Sequence, residues 1–453
     1  MPKWILAMST LVFGTIVLAG CGGGGAVSKF LPTTVGVSAP PAASGISFST
    51  ALANGYIQPV CGPAAPGHAR CVAYVVTSGS GMQAFGYTSS VPPLEPPQRR
   101  YGCLHNCPTA TPTAMPSSAP PPPNVPTPPP PHSGGYGPDD LQSAYGIDAS
   151  GGAGRTVAVV EEGDAPTLEA DLGVYRTQFG LPACTTANGC FRKVGQTGTS
   201  SLPKADTAWA QETSLDVDMV SALCPNCNIL VVEANSSSES DLASSANTAA
   251  QMGAVAISNS YSGSEDANYA SDYNHPGIAI TASSGDDGYA GGAGSPADFS
   301  SVIAVGGTSL EHANSARGWS ETAWSGGGSA CSSIIAKPAW QQDTGCPKRM
   351  MVDVSFVADT GTGVAIYDST PNNGYSGWMV FGGTSVGAPA IAAIYALAGN
   401  TVSNASTLYA DPSALYDVTS GSNGTCSVSY FCNAGVGYDG PTGLGTPDGI
   451  GAF

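Results

Sequence analysis

Between residues 156 and 385, short apolar runs rich in β-branched residues alternate with helical patterns, and this alternation constrains the fold most tightly. The strand candidates are TVAVVEEG (156–163), NILVVEA (228–234), AVAISNSY (254–261), IAITASSG (278–285), VIAVGG (302–307), MVDVSFVAD (351–359) and WMVFGGTS (378–385). Most are continuously apolar, as strands buried on both faces of a parallel sheet must be. Helical segments such as TLEADLGVYRTQFG, AWAQETSLDVDMVSAL, SDLASSANTAAQMG and GAPAIAAIYALAG lie between them. The expectation is one α/β domain over 136–453: a doubly wound, mainly parallel sheet with helices on both faces. Its site should lie at the carboxyl ends of the strands.

The residues before 136 read differently. Lys3, the apolar run WILAMSTLVFGTIVLA and LAGC (18–21) describe a signal peptide over 1–21. LAGC also fits a lipobox, in which Cys21 becomes a lipidated first residue; an ordinary signal peptide is the alternative. Residues 22–107 read as a tether followed by a small cysteine-containing segment, and 108–135 as an extended Pro-rich linker. With Cys21 set aside, the other 12 of the 13 cysteines fall into six close pairs: 61/71, 103/107, 184/190, 224/227, 331/346 and 426/432. In an exported chain these read as local disulfides. CPNC (224–227) has no second CxxC to complete a zinc site. The formal charge of -18 disfavours nucleic acid and anionic membranes as partners. Membrane contact is expected only through a lipid on Cys21, and a monomer in the cell envelope or outside the cell is expected.

Ser385 lies where a strand, WMVF, meets a helix opening near Pro389. Backbone N–H groups of the helix start are then at hand. A serine there is either a helix cap or a nucleophile. Gly383, Thr384, Ser385 and Pro389 match the GTSxxxP signature of subtilisin-like peptidases. A serine nucleophile needs a base. His68, His105 and His132 precede the core domain, while His275 and His312 sit in loop-like contexts without an HGT motif. Carboxylates offer another route. Glu212 and Asp216 are four residues apart and share one helix face, with Asp218 off it. That spacing suits either a solvated acidic face or a proton-sharing pair. In SGDDG, Asp286 or Asp287 is a turn residue or, if held neutral, a hydrogen-bond donor to an oxyanion.

Taken together, Glu212-x-x-Leu215-Asp216, SGDDG and GGTSVGAP, with LQSAYGI, DLGVYRTQFGLP and VIAVGGTSL, resemble the sedolisins, or serine-carboxyl peptidases. The resemblance covers about 136–453 and implies a subtilisin-like fold and hydrolysis of protein or peptide substrates. It makes Ser385 the nucleophile, Glu212 the general base and acid, Asp216 its partner and Asp286 the oxyanion donor. It also implies one structural Ca²⁺ held by Asp417 and Asp439, with backbone carbonyls of Val418, Gly435 and Gly437.

Glu212 must accept a proton while Asp286 keeps one, so activity is expected in acid and not at neutral pH. Asp287 departs from the family pattern, which has serine there. The cysteine-containing piece at 46–107 would be a reduced pro-segment, and SYSGSEDANY (260–269) a substrate-strand edge. The rival readings are a catalytically inactive, surface-anchored binding protein and a His-dependent subtilisin relative.

Overall fold

The computed structural model describes residues 46–87 and 134–453. The lipobox at Cys21, the linker and the Cys103/Cys107 pair lie outside the described residues.

The first described segment carries α1 (Phe48–Ala53), β1 (Ile57–Pro59), β2 (Arg70–Cys71), β3 (Tyr74–Val76) and α2 (Ser80–Ala84). After it come α3 (Pro138–Ala144), β4 (Thr156–Glu162), α4 (Leu168–Gln178), β5 (Phe191–Gly195), α5 (Thr207–Leu223) and β6 (Asn228–Ala234). Next are α6 (Glu239–Gln251), β7 (Ala256–Asn259), β8 (Tyr261–Ser262), β9 (Ala279–Ser283), β10 (Ile303–His312) and β11 (Trp319–Ala323). The chain continues through β12 (Ala330–Ala336), β13 (Lys348–Met351), β14 (Val354–Val357), β15 (Val364–Asn372), β16 (Tyr375–Gly382) and α7 (Gly387–Ala398).

The central sheet runs β11-β10-β9-β7-β4-β6-β5, with β14 beside β10. All its pairings are parallel except β10–β11. Its strands are buried on both faces, which explains the unbroken apolar runs. Strand order turns around between β4 and β7: β6 and β5 extend one way, β9 and β10 the other. Such a switch point opens a crevice at the carboxyl ends of the strands. The architecture is the expected α/β, subtilisin-like one. Helix α5 packs against β4 and α7, and α7 against β7 and β9; α6 packs against β4 and β6.

Two expected strands differ in detail. WMVF belongs to β16, which pairs antiparallel with β15 outside the parallel sheet. The cause is local: Asn373 (φ 52°) and Gly374 (φ 86°) form a two-residue turn with both φ positive, which closes a tight hairpin. MVDVSFVAD divides between β13, which pairs with β12, and β14, which joins the central sheet.

The β15–β16 hairpin does not stand alone. Strand β3 pairs antiparallel with β16, and β1 with β3, giving a four-stranded sheet β1-β3-β16-β15. Strand β2 pairs antiparallel with β8. Ile57, Tyr74, Val76, Met82 and Phe85 form a small core with Val380. Five disulfides join Cys61–Cys71, Cys184–Cys190, Cys224–Cys227, Cys331–Cys346 and Cys426–Cys432.

Candidate active site

Helix α5 starts where the Asp206 carboxylate accepts the N–H groups of Ala208 and Trp209, a strong N-cap. From Trp209 to Leu223 every residue is buried, so the helix runs through the interior. Glu212, Asp216 and Asp218 are all fully buried, and the solvated acidic face is not what forms. Asp218 turns to another partner, accepting the Tyr367 N–H at 3.0 Å. Asp216 Oδ2 accepts the hydroxyls of Ser260 (2.9 Å) and Ser258 (3.3 Å) at the end of β7. That strand end lies at the switch point.

A third carboxylate reaches the same place from β4. Glu161 is fully buried at the carboxyl end of that strand. Burial, then the charges of Asp216 and Glu212, push its carboxyl well above the ordinary range. Burial and Asp216 do the same to Glu212, while the Ser385 hydroxyl opposes the rise. Asp216 is pushed up to about 7 by burial, against the pull of Ser260, Glu161 and Ser258. Among the described residues, none of these three groups forms an ion pair with Lys, Arg or His. Carboxylates this close and this dry hold protons between them. Among the described residues neither Glu212 oxygen has a partner within hydrogen-bond distance, so its contact with Ser385 is looser than a full hydrogen bond. The Ser385 hydroxyl points instead to the Ser260 carbonyl, at 3.3 Å.

Ser385 follows β16 through Gly383 and opens onto α7 by a short 3-10 turn, Thr384–Val386. Gly383 has φ 116°, and a Cβ there would lie 2.4 Å from the Val72 carbonyl oxygen and 2.6 Å from Asp286 Oδ2. Only glycine permits that convergence. Asp286 Oδ1 accepts both the N–H and the hydroxyl of Thr384, each at 2.8 Å. Its Oδ2 is buried and unpartnered. Burial pushes the Asp286 carboxyl up to about 7, against Thr384, so the proton is available to a third oxygen nearby.

A backbone already lies in this crevice. The Ala69 N–H donates to the Ser237 carbonyl at 2.8 Å, and Arg70 and Cys71 pair with Ser262 and Tyr261. The Val72 carbonyl accepts the Ser385 N–H at 3.3 Å. Tyr74 and Val75 then pair with Gly382 and Phe381. The chain thus crosses Ser385 as an extended strand, paired on both sides, in the manner of a bound peptide. Ser385 is fully buried beneath it. The Tyr261–Ser262 edge, flagged in the sequence as a substrate-strand edge, holds the protein's own Arg70 and Cys71.

The three described histidines are engaged elsewhere. His68 contacts Ser237, His275 the Asp272 carbonyl, and His312 stacks on Trp319. The sequence reading did not single out Glu161, Ser258, Ser260 or the crossing at Val72. Glu161 carried one signal: an acid inside a run, TVAVVEEG, that has to be buried.

Of the five calcium candidates, hydrogen bonds link Asp417 with Gly437 and Asp439 with Gly435. Asp417 Oδ2 accepts the Gly437 N–H and Asp439 Oδ2 the Gly435 N–H, both at 2.9 Å. Asp439 is pushed up to about 7 by burial, and Asp417 adds to the rise against the loop N–H groups. Neither carboxylate forms an ion pair with Lys or Arg among the described residues. No cluster of three or more His, Cys, Asp or Glu suited to a metal occurs among the described residues. Asp439 Oδ1 also accepts the N–H and hydroxyl of Thr442, each at 2.8 Å, so a hard cation here would share these carboxylates with the loop's own donors and draw partly on backbone carbonyls.

No family model matches the chain. It is 35% identical over 174 residues to sedolisin of Pseudomonas sp. (strain 101), covering 34% of this chain and 28% of the relative. It is 29% identical to kumamolisin of Bacillus sp. (strain MN-32), covering 70% of this chain and 62% of the relative. The matched stretches thus span less than two thirds of either relative's length. A solved structure described as Pseudomonas sedolisin (serine-carboxyl proteinase), complexed with pseudo-iodotyrostatin, superposes with a TM-score of 0.60 at 27% identity. It covers 69% of this chain and 95% of that one. In sequence and in fold the chain is thus similar to these serine-carboxyl peptidases.

Proposed function

We propose that the chain is a serine-type endopeptidase that cuts protein or peptide substrates in acid through a Ser-Glu-Asp triad. One observation carries this: a buried row of carboxyls, Glu161, Asp216 and Glu212, ends at Ser385, beside the unpartnered Asp286 Oδ2. The Ser385 hydroxyl adds to the carbonyl carbon of the bond to be cut, and its proton passes to Glu212 in the molecules in which the Glu212–Asp216–Glu161 row holds one proton fewer than its three carboxyls can carry. The oxyanion accepts hydrogen bonds from the Ser385 N–H and from protonated Asp286. Asp216, held by Ser258 and Ser260, shares the proton load of Glu212. As the C–N bond breaks, Glu212 returns its proton to the leaving amine, and an ester remains on Ser385. Water gives a proton to Glu212 and adds to the ester carbonyl; the proton returns to Ser385 as the acid leaves.

The Asp286 proton is retained below about pH 7, which sets the upper limit of activity. A substrate has to displace Ala69–Val75 before it reaches Ser385. Asp417 and Asp439, with the carbonyls of Val418, Gly435 and Gly437, would hold one Ca²⁺. That ion would tie the C-terminal loop together and take no part in the chemistry. Export, with or without a lipid on Cys21, agrees with the five disulfides.

The test is digestion of casein or denatured haemoglobin at about pH 4 by the full chain, Ser385→Ala and Glu212→Ala. Loss of digestion in both variants is expected. Equal digestion by all three overturns the Ser385–Glu212 assignment, and none by any returns the chain to an inactive binding protein on the same fold.

A further inference from the structure

The segment in the crevice also shows what kind of side chain the crevice selects. Its register fixes the bond that faces Ser385. The Val72 carbonyl accepts the Ser385 N–H, so Val72 occupies the place of the residue whose carbonyl is attacked. Cys71 and Arg70 precede it along β8, with Arg70 opposite Ser262. Arg70 is therefore the third residue on the acyl side of the cut, counting Val72 as the first.

The Arg70 guanidinium forms an ion pair with Asp287. Asp287 directly follows Asp286, on the loop after β9, so it is placed by the backbone that places the oxyanion donor. Both Arg70 and Asp287 line a cleft of about 570 Å³, whose other walls include Val72, Ser262, Glu265 and Gly285. Among the described residues two acidic side chains line this cleft, and one is already committed. The Glu265 oxygens accept the hydroxyls of Ser332 and Ser333 and the Ser333 N–H. Asp287 makes no such bonds and is spent on Arg70. Its side chain stays 57% exposed even with the segment in place, so it faces any peptide that takes the segment's position.

We propose that Asp287 is a specificity residue that receives a cationic side chain, Arg or Lys, at the third position on the acyl side of the cut bond. This makes peptides with a basic residue there the preferred substrates, and it rests on the peptidase reading above. Because the pair is partly exposed, water screens it, and the preference amounts to about two- to fivefold. Lys and Arg both serve, since one carboxylate oxygen pairs with one N–H and no bidentate fork is required.

The experiment uses the full chain carrying Arg70→Ala, which frees the subsite of its internal occupant. Matched peptides with Arg, norleucine or Glu at the third position are compared by kcat/KM at about pH 4. The expected order is Arg, then norleucine, then Glu, with about two- to fivefold between the first two. Adding Asp287→Asn brings the Arg-to-norleucine ratio to about one. Adding Asp287→Lys inverts the order in favour of Glu, which a merely structural role for Asp287 would not produce. A ratio near one in Arg70→Ala itself, or a ratio unmoved by Asp287→Asn, overturns the proposal and leaves the peptidase reading standing. Failure to cut both the peptides and the chain's own Val72–Ala73 bond overturns the peptidase reading, and this proposal with it.

Discussion

The Val72 carbonyl oxygen accepts a hydrogen bond from the Ser385 backbone N–H at 3.3 Å. This N–H is one of the two donors that would hold an oxyanion, so the Val72–Ala73 peptide bond lies where a substrate bond would lie. Pairing of Arg70–Cys71 with β8 and of Tyr74–Val75 with β16 holds it there from both sides. Held orientation of this kind is a large part of catalysis. Incubation of the full chain at about pH 4 should therefore produce a new N-terminus at Ala73, read by intact mass. Ser385→Ala should stay whole. A cut elsewhere with Val72–Ala73 intact would mean that the segment binds in a protected geometry.

Asp286 should set the alkaline limb of the activity. Burial pushes its carboxyl up to about 7, and only the protonated form donates to an oxyanion. As pH rises through that value the donor is lost and the rate falls. Asp286→Ala removes the donor at every pH and should cost about 10²–10³-fold in kcat. Asp286→Asn should cost less and behave differently. Its oxygen can still accept from Thr384 while its N–H₂ donates whatever the pH, so the limb near 7 disappears. A limb unchanged in Asp286→Asn would assign it to another group.

How much of this was legible in the chain differs from residue to residue. Glu212 and Asp216 could be paired because the four-residue helical spacing is local and regular, and Ser385 could be placed because a strand-to-helix junction has a composition of its own. The parallel sheet was legible because burial on both faces leaves no polar alternation. Glu161 was not, since its neighbours come from α5, and nothing around β4 says which of two adjacent glutamates turns inward. The crossing at Val72 was invisible for a related reason. β2 and β3 are two and three residues long, and their partners are edges far away in sequence. The hairpin at Asn373–Gly374 had a clear local signal, but the apolar run after it looks the same in a parallel or an antiparallel sheet.

The carboxyl row should make the protein most stable in acid. Asp216 and Asp286 are raised to about 7, and Glu161 and Glu212 stand well above the ordinary carboxyl range, in each case chiefly by burial. The folded state therefore keeps protons that the unfolded chain releases from about pH 4 upward. Stability is full below about pH 4 and is lost progressively as pH rises toward 7 and beyond. In Ser385→Ala, used to prevent self-cutting, Tm should fall steadily across that window. Glu161→Gln, which cannot ionise, should flatten the slope and raise Tm at neutral pH. A Tm that climbs between pH 4 and 7 would contradict the buried, proton-holding row.

Calcium should matter to the C-terminal loop and to little else. Asp439 is raised to about 7 by burial and Asp417 adds to it, so a bound cation would relieve both charges. Chelation should lower Tm in Ser385→Ala, and Asp417→Asn should lower it without chelator and abolish the response. Added Mg²⁺ should not restore it, because a loop supplying several carbonyls suits the larger, more flexibly coordinated ion. A Tm indifferent to chelator and calcium alike would remove the ion from the account.

The disulfide Cys61–Cys71 should govern how firmly the crevice is closed. It ties Cys71, the residue before Val72, back to Cys61 across a separation of 10 residues. Closing a loop of that size restricts the freed segment and stabilises the docked one by about 2–4 kcal/mol. Val60, next to Cys61, adds a backbone bond of its own to the Ala73 carbonyl at 3.0 Å, so both sides of the facing peptide bond are fastened to one short stretch. Replacing both cysteines by serine leaves the catalytic groups untouched but loosens this clamp. Because the segment has to leave before a substrate enters, the parent chain should show a lag before activity; in that variant the lag should shorten and small peptide substrates should be cut faster from the moment of mixing. The opposite result, a longer lag with slower cutting, would mean that the disulfide positions the segment for its own removal instead of holding it in place.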